Sequence, residues 1–346
     1  LLRVIIDEVA LSSIKCLVLM KKTTSIVLLA GLSAALSASG QELTGAYRVL
    51  NMPLSSHVAA LGGAGISLVE DSPWAGWFNP SLYASVSDRS LGLSAMTYAD
   101  GAVWAGAQYV KAFGERHTAA FHAAAMNYGE QNETDEQGTV LGQFSPSDVV
   151  IGGAYSYLLS NRWSGGAAIK GVFSSYGGYS AAAVSFDLGL NYFDPDRDLS
   201  FSLALRNVGA QFSSFDGRTQ RVPFSLEMGY TRGMEHTPLR FSITATDLTH
   251  WKKSDFYTPE GEDLSFGKLL LNHLVVGVDV VLSENFYLAA GYNFRRAHEL
   301  KAAGSAHGAG LTLGAGLSVR RFRFGASYAK YHVSTSSLLF NVGYTF

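Results

Sequence analysis

The chain has 346 residues, of which 47% are hydrophobic, 12% aromatic and only 16% charged, with 37 glycines and a formal net charge of −2. A balance so close to neutral, without a basic stripe, argues against a nucleic-acid partner held through its phosphates. Cys16 is the only cysteine and lies near the start, so the rest of the chain has no thiol, zinc-thiolate or disulfide chemistry.

The pattern begins at Met20 with "MKKTTSIVLLAGLSAALSASG". Lys21 and Lys22 form a positive start, Ser25 to Leu36 an apolar stretch, and Ala38-Ser39-Gly40 a small-residue cleavage site before Gln41. This predicts a secretory signal peptide over 20–40. Residues 1–19 are read as a start placed too early and carry no fold expectation. An exported product without cysteines needs another source of stability, such as a closed sheet. After residue 40 no apolar run approaches the roughly 18 residues of a spanning helix.

Residues 41–88 look irregular, broken by Gly62, Gly63, Gly65, Pro73 and Pro80. From Arg89 the chain reads as strand after strand. Candidates fall near 89–99, 102–112, 117–128, 148–159, 163–173, 180–193, 199–209, 222–232, 238–248, 272–282, 285–295, 307–319, 321–330 and 336–346. That is about fourteen, each roughly the ten residues a tilted strand needs to cross a bilayer.

The links sort by parity. Those after even-numbered strands are short ("GERH", "SNR", "DPDRD", "GMEHTP", "SEN" and Arg320), and those after odd-numbered strands are mostly long. Only Asp100-Gly101, after the first strand, breaks the rule. Outer-membrane barrels have short periplasmic turns and long outer loops. The pattern therefore predicts long loops facing outward and a periplasmic C-terminus.

The faces agree with this. In the last strand Leu338, Phe340, Val342, Tyr344 and Phe346 share one side, and Leu339, Asn341, Gly343 and Thr345 the other. Leu311, Leu313, Leu317 and Val319 oppose Thr312, Gly314, Gly316 and Ser318. Charges keep to the polar phase, as they must when the bulky phase meets lipid. Strands 102–112 and 117–128 are alanine-rich on both sides and show no clear phase. The expectation is an all-β transmembrane antiparallel barrel over 89–346. Residues 41–88 would fold inward as a plug, or hatch, because a lumen lined by Gly, Ser and Thr leaves space to fill.

Four stretches carry a resemblance. "WFNPSLYAS", residues 77–85, is similar to the Asn-Pro-Ala element in the N-terminal hatch of FadL-type outer-membrane barrels, with Ser81 in place of the usual Ala. "YRVLNMPLSSHVAALGGAGISL", residues 47–68, resembles the opening of the PorV-related barrels of the type IX secretion system, with Ser56 and His57 where Ala and Arg are common. "LALRNVGAQF", 203–212, and "FSITATDLTHW", 241–251, resemble strands of the same group. The resemblance implies a fourteen-stranded fold with Trp77, Phe78, Asn79 and Pro80 as the hatch motif. It also implies a non-enzymatic role at the surface of a Gram-negative bacterium: holding the surface protein PorZ within an attachment complex that includes PorU and PorV and acts on cargo joined to lipopolysaccharide. A C-terminal Phe on a final strand also resembles the signal read by barrel-assembly machinery.

The remaining constellations read blandly. The nine histidines show no metal-binding spacing, and no cofactor is indicated. "GEQNETDEQG", 129–138, groups Glu130, Glu133, Asp135 and Glu136 as a solvated loop, with a calcium bridge to lipopolysaccharide as the sharper reading. "GGAG", 62–65, lacks the ending of a phosphate loop, and no Gly-x-Ser-x-Gly elbow marks a hydrolase. Glycine at alternate strand positions instead lets a hatch approach the wall. Asp187, Glu227 and Asp279 are expected to pair with Arg206, Arg295 and Arg321 across the lumen, since inward charges are costly without partners. The loop 249–271, with Trp251, Phe256, Tyr257 and Phe266, is the expected docking surface for a partner, or else an interfacial aromatic cluster. The rival functions are a FadL-like conduit for hydrophobic molecules and, less well supported, a lipid hydrolase.

Overall fold

A strand that alternates bulky apolar with small or polar residues can bury only one face, and a closed sheet leaves no edge exposed to lipid. The computed structural model has this form. It describes residues 47–346 apart from 135, 136, 138, 216–218, 257–263, 303–307 and 334. The signal peptide expected over 20–40, the stretch 1–19 and residues 41–46 lie outside the described residues.

The strands are β1 Ser90–Thr97, β2 Val103–Phe113, β3 His117–Asn127, β4 Gln131–Thr134, β5 Val140–Phe144, β6 Ser147–Leu158, β7 Trp163–Tyr176 and β8 Tyr179–Asp194. Then follow β9 Leu199–Ser213, β10 Ser225–Gly233, β11 Leu239–Ala245, β12 Leu274–Ser283, β13 Phe286–Asn293, β14 Leu311–Val319, β15 Phe322–Ala329 and β16 Ser337–Thr345. β4 and β5 pair with each other as a loop hairpin; the other fourteen form one closed barrel in chain order. The seam joins β1 to β16 antiparallel, with Leu93 opposite Val342.

The barrel is inside out. Phe340 is 52% exposed on the outer face, whereas its neighbours Leu339 and Asn341 are 1% and 3% exposed. The alanine-rich strands acquire a phase: Trp104, Gln108, Val110 and His122 point inward and are buried, and Val103, Tyr109, Phe113 and Phe121 lie on the outside.

Several boundaries differ from the sequence reading. The link expected between the candidates 163–173 and 180–193 shrinks to a turn, because β7 and β8 run on to Gly177 and Gly178, whose φ values of 52° and 87° suit a tight reversal. β9 likewise extends to Ser213, and β14 begins at Leu311 rather than 307. Short helices occupy Phe266–Asn272 and Phe294–Ala302, where a long loop and a strand end were expected.

The segment from Tyr47 to Val86 reaches inner-face groups of strands all around the barrel. Leu54 O accepts from Ser94 (β1) at 2.8 Å and from Asn341 (β16) at 2.8 Å. Pro53 O accepts from Trp104 (β2) at 2.9 Å, and Ala60 O from Thr312 (β14) at 2.6 Å. Ala64 O accepts from Thr244 (β11) at 2.6 Å, and Ser81 O from Ser156 (β6) at 3.0 Å. Two wall glycines let the hatch backbone come close. A Cβ on Gly166 would strike the Pro80–Ser81 backbone, and one on Gly291 the Leu61–Gly62 backbone.

Candidate functional site

The hatch is organised by two side-chain caps. Ser55 accepts from Val58 N at 3.2 Å and starts the helix Ser56–Ala60. Asn79 caps the turn Pro80–Ser85, accepting from Ser81 N at 3.2 Å and Ser81 Oγ at 2.6 Å. Its Nδ2 donates to Ile66 O at 2.8 Å, so this buried amide also ties two limbs of the hatch together. Pro80 follows at the first helical position, where its missing N–H costs nothing. Trp77 Nε1 donates to Met52 O at 2.9 Å. All four residues of the motif are therefore buried, and both aromatics face wall cations.

Three buried ionic clusters of the wall touch the hatch; in the first two both charges belong to the wall, and the hatch supplies a carbonyl and a ring. The first is Lys170 (β7) with Asp187 (β8), 2.6 Å apart and both wholly buried. Lys170 Nζ also donates to Trp77 O at 3.0 Å and sits 4.2 Å from the Trp77 ring centre. The second is Arg206 (β9) with Glu227 (β10), at 2.6 Å. The same guanidinium donates to Leu50 O at 3.2 Å and lies 4.0 Å over the Phe78 ring. The third centres on His57. Its Nε2 is 2.8 Å from Asp279 Oδ1 (β12), its Nδ1 is 2.7 Å from Glu70 Oε2, and its ring stacks at 3.8 Å on Tyr287 (β13). Arg240 (β11) holds the other Asp279 oxygen at 2.9 Å. Burial alone would lower the His57 pKa, but the Glu70 and Asp279 carboxylates outweigh it and hold it at about 9.

The expected lumen network is thus rearranged. Arg206 and Glu227 pair with each other, but Asp187 takes Lys170, and Asp279 takes His57 and Arg240. Arg295 belongs elsewhere: it pairs with Asp247, and with Glu299 at 2.8 Å one helical turn along Phe294–Ala302. Arg321 is a second correction. Arg320 takes φ 54° in the turn, the ladder restarts at Phe322, and Arg321 is left exposed. The inward cation is Arg323, paired with Asp71 of the hatch. Lys170, Arg240 and His57 were overlooked in the sequence. For the two strand residues the signal was a lone cation in the polar phase.

The expected docking loop also changes. Phe256 is buried with Leu264 and Leu269 and lies under Arg295, with the guanidinium 4.9 Å from the ring centre, so it scaffolds the loop and cannot meet a partner. Trp251 leans on His273 at 4.2 Å and stays partly exposed; Phe266, at 72%, is exposed on its helix. Tyr257 lies outside the described residues, as do Asp135 and Glu136 of the acidic loop.

Within the hatch itself, Leu54, Val58, Trp74, Trp77 and Phe78 pack around a space too small for a water molecule.

No family model and no curated protein matches the chain. Solved structures do. A deltaS2S3 mutant of the TodX monoaromatic hydrocarbon channel aligns with a TM-score of 0.53 at 14% identity, covering 84% of this chain and 97% of that one. A Pseudomonas aeruginosa FadL homologue gives 0.53 at 13%, covering 84% and 98%. The CymD monoaromatic hydrocarbon channel gives 0.53 at 11%, covering 85% and 98%. Identities this low speak for the fold alone: a closed, fourteen-stranded barrel like those of FadL-type outer-membrane proteins.

Proposed function

We propose that this chain is a non-enzymatic outer-membrane barrel that holds a protein at the cell surface, in the manner of PorQ-like components of the type IX secretion system. Its partner would be PorZ, within the attachment complex that contains PorU and PorV. The observation that carries this reading is the filled lumen. His57 of the hatch pairs with Asp279 of the wall, the buried wall pairs Lys170–Asp187 and Arg206–Glu227 hold hatch carbonyls, and hatch bonds reach strands around the barrel. A lumen occupied in this way supports a rigid platform better than a passage. The opening "YRVLNMPLSSHVAALGGAGISL" adds the resemblance that points to the secretion complex.

A second reading has its own support. Two of the neighbouring structures are named as monoaromatic hydrocarbon channels, and they favour a conduit for hydrophobic small molecules more directly than they favour any secretion role. One experiment separates the two. In cells lacking this chain, the holding reading expects PorZ to leave the surface while uptake of an aromatic hydrocarbon such as toluene is unchanged. Retained PorZ with lost uptake decides for the conduit.

A further inference from the structure

The barrel wall is uneven. β7, β8 and β9 have 14, 16 and 15 residues, whereas β10 and β11 have 9 and 7. Roughly ten residues suffice to cross the hydrocarbon, so the ends of β8 and β9 away from the short turn at 195–197 project beyond it. The β9–β10 ladder runs from Leu199 opposite Arg232 to Arg206 opposite Ser225 and then stops. β9 continues beside β8 as far as Ser213 opposite Ala182. From Val208 to Ser213, the side of β9 turned away from β8 has no ladder partner among the described residues.

The break is built into the wall. Asn207 adopts φ 56°, and its N–H donates to Asp187 Oδ1 at 2.7 Å in place of a ladder bond. Gly209 sits where any Cβ would strike Val184 O. The chain returning toward β10 passes this edge but is bonded to it through side chains: Asn207 Nδ2 to Pro223 O at 3.0 Å, and Gln220 N to Gln211 Oε1 at 2.5 Å. Free edges are usually blunted by charge or proline. "VGAQFS", 208–213, has neither, and Phe212 is 67% exposed.

We propose that Val208–Ser213 is the docking edge for the surface partner, which adds an extended segment as a strand and so continues the ladder that β10 leaves at Arg206. This rests on the holding reading above. The occupant is a protein because a ladder needs alternating donors and acceptors at strand spacing, which a peptide backbone supplies and a lipid does not. The site is continuous with the barrel's own β9–β10 pairing. The two side-chain bonds from Asn207 and Gln211 are what the incoming strand displaces.

The test compares two double variants in cells, with heat-modifiable migration on gels confirming that each barrel is assembled. Gln211→Lys with Phe212→Lys places charge on the edge; Gln211→Thr with Phe212→Val keeps strand propensity. Retention of PorZ at the surface is measured for both and for the unchanged chain. We expect a loss of about ten-fold for the lysine pair and retention within about two-fold for the Thr/Val pair, following the behaviour of blunted edges. Equal retention by all three overturns the edge while leaving the holding reading standing. No retention by the unchanged chain removes the holding reading, and the edge with it.

Discussion

His57 Nε2 lies 2.8 Å from Asp279 Oδ1, joining the hatch to β12 at a place water does not reach. The same ring faces Glu70 on its other nitrogen, so the joint requires the doubly protonated imidazolium. The folded pKa is raised from 6.5 to about 9. A raised histidine stabilises fully below its unfolded value, and that contribution fades as pH climbs through the folded one. The rise corresponds to about 3 kcal/mol. Thermal unfolding in detergent should therefore show the hatch joint weakening between about pH 6.5 and 9, whereas His57→Arg should remove that slope. A slope unchanged by His57→Arg would show that the imidazolium is not the joint.

Lys170 and Asp187 form the deepest pair, with neither side chain exposed. Lys170→Met strands a buried carboxylate, and breaking such a pair from one side costs about 3–5 kcal/mol. Asp187→Asn added to Lys170→Met should recover much of the loss, because an amide can still accept from Asn207 N. Denaturant midpoints of the single and double variants measure this. Equal midpoints for the two would mean that the charge pair is not what the wall needs.

Gly291 faces the hatch backbone, whereas its neighbour Ala290 belongs to the opposite face of β13. Gly291→Val should dislodge the hatch and expose residues 56–66 to hydrogen exchange. Ala290→Val should leave exchange there unchanged. Equal protection in both variants would contradict the close approach at Gly291.

Within the loop that precedes β12, Phe256 and Phe266 should behave oppositely. Phe256→Ala removes a ring packed on Leu264 and Leu269 and should make the loop protease-sensitive, with a loss on the order of 3 kcal/mol. Phe266→Ala alters an exposed ring and should leave cleavage rates as they are. Similar cleavage of both would count against Phe256 as the loop's anchor.

The barrel was legible because lipid imposes one rule on every strand: apolar side chains out, small or polar side chains in. Leu338 to Thr345 state that rule on their own, and the short links confirm it by parity. The strand ends were harder. Whether β8 begins at 180 or 179, or β9 ends at 209 or 213, depends on neighbours in space, and Gly177-Gly178 as a tight turn looks in sequence like any Gly-rich loop. The ionic joints were legible only by half. Alternation shows that Lys170, Asp187 and Asp279 point inward, but not which opposite charge each meets. His57 and Asp279 are 222 residues apart. Arg240 directly opposes Asp279 across the β11–β12 ladder, a relation that needs the register. Arg321 was misassigned because a single turn residue, Arg320, decides which arginine enters the wall.

The central claim is a hatch fixed within a closed barrel that serves as a platform. Ser67 Oγ of the hatch and Thr231 Oγ1 of β10 lie 2.8 Å apart, and the chain has no other cysteine after Cys16. The most direct measurement is disulfide formation in Ser67→Cys with Thr231→Cys in oxidised cells, scored together with surface PorZ. The account predicts a nearly complete cross-link with PorZ retained at the level of the unchanged chain. Absence of the cross-link in an assembled barrel, or its formation with PorZ released, would contradict it.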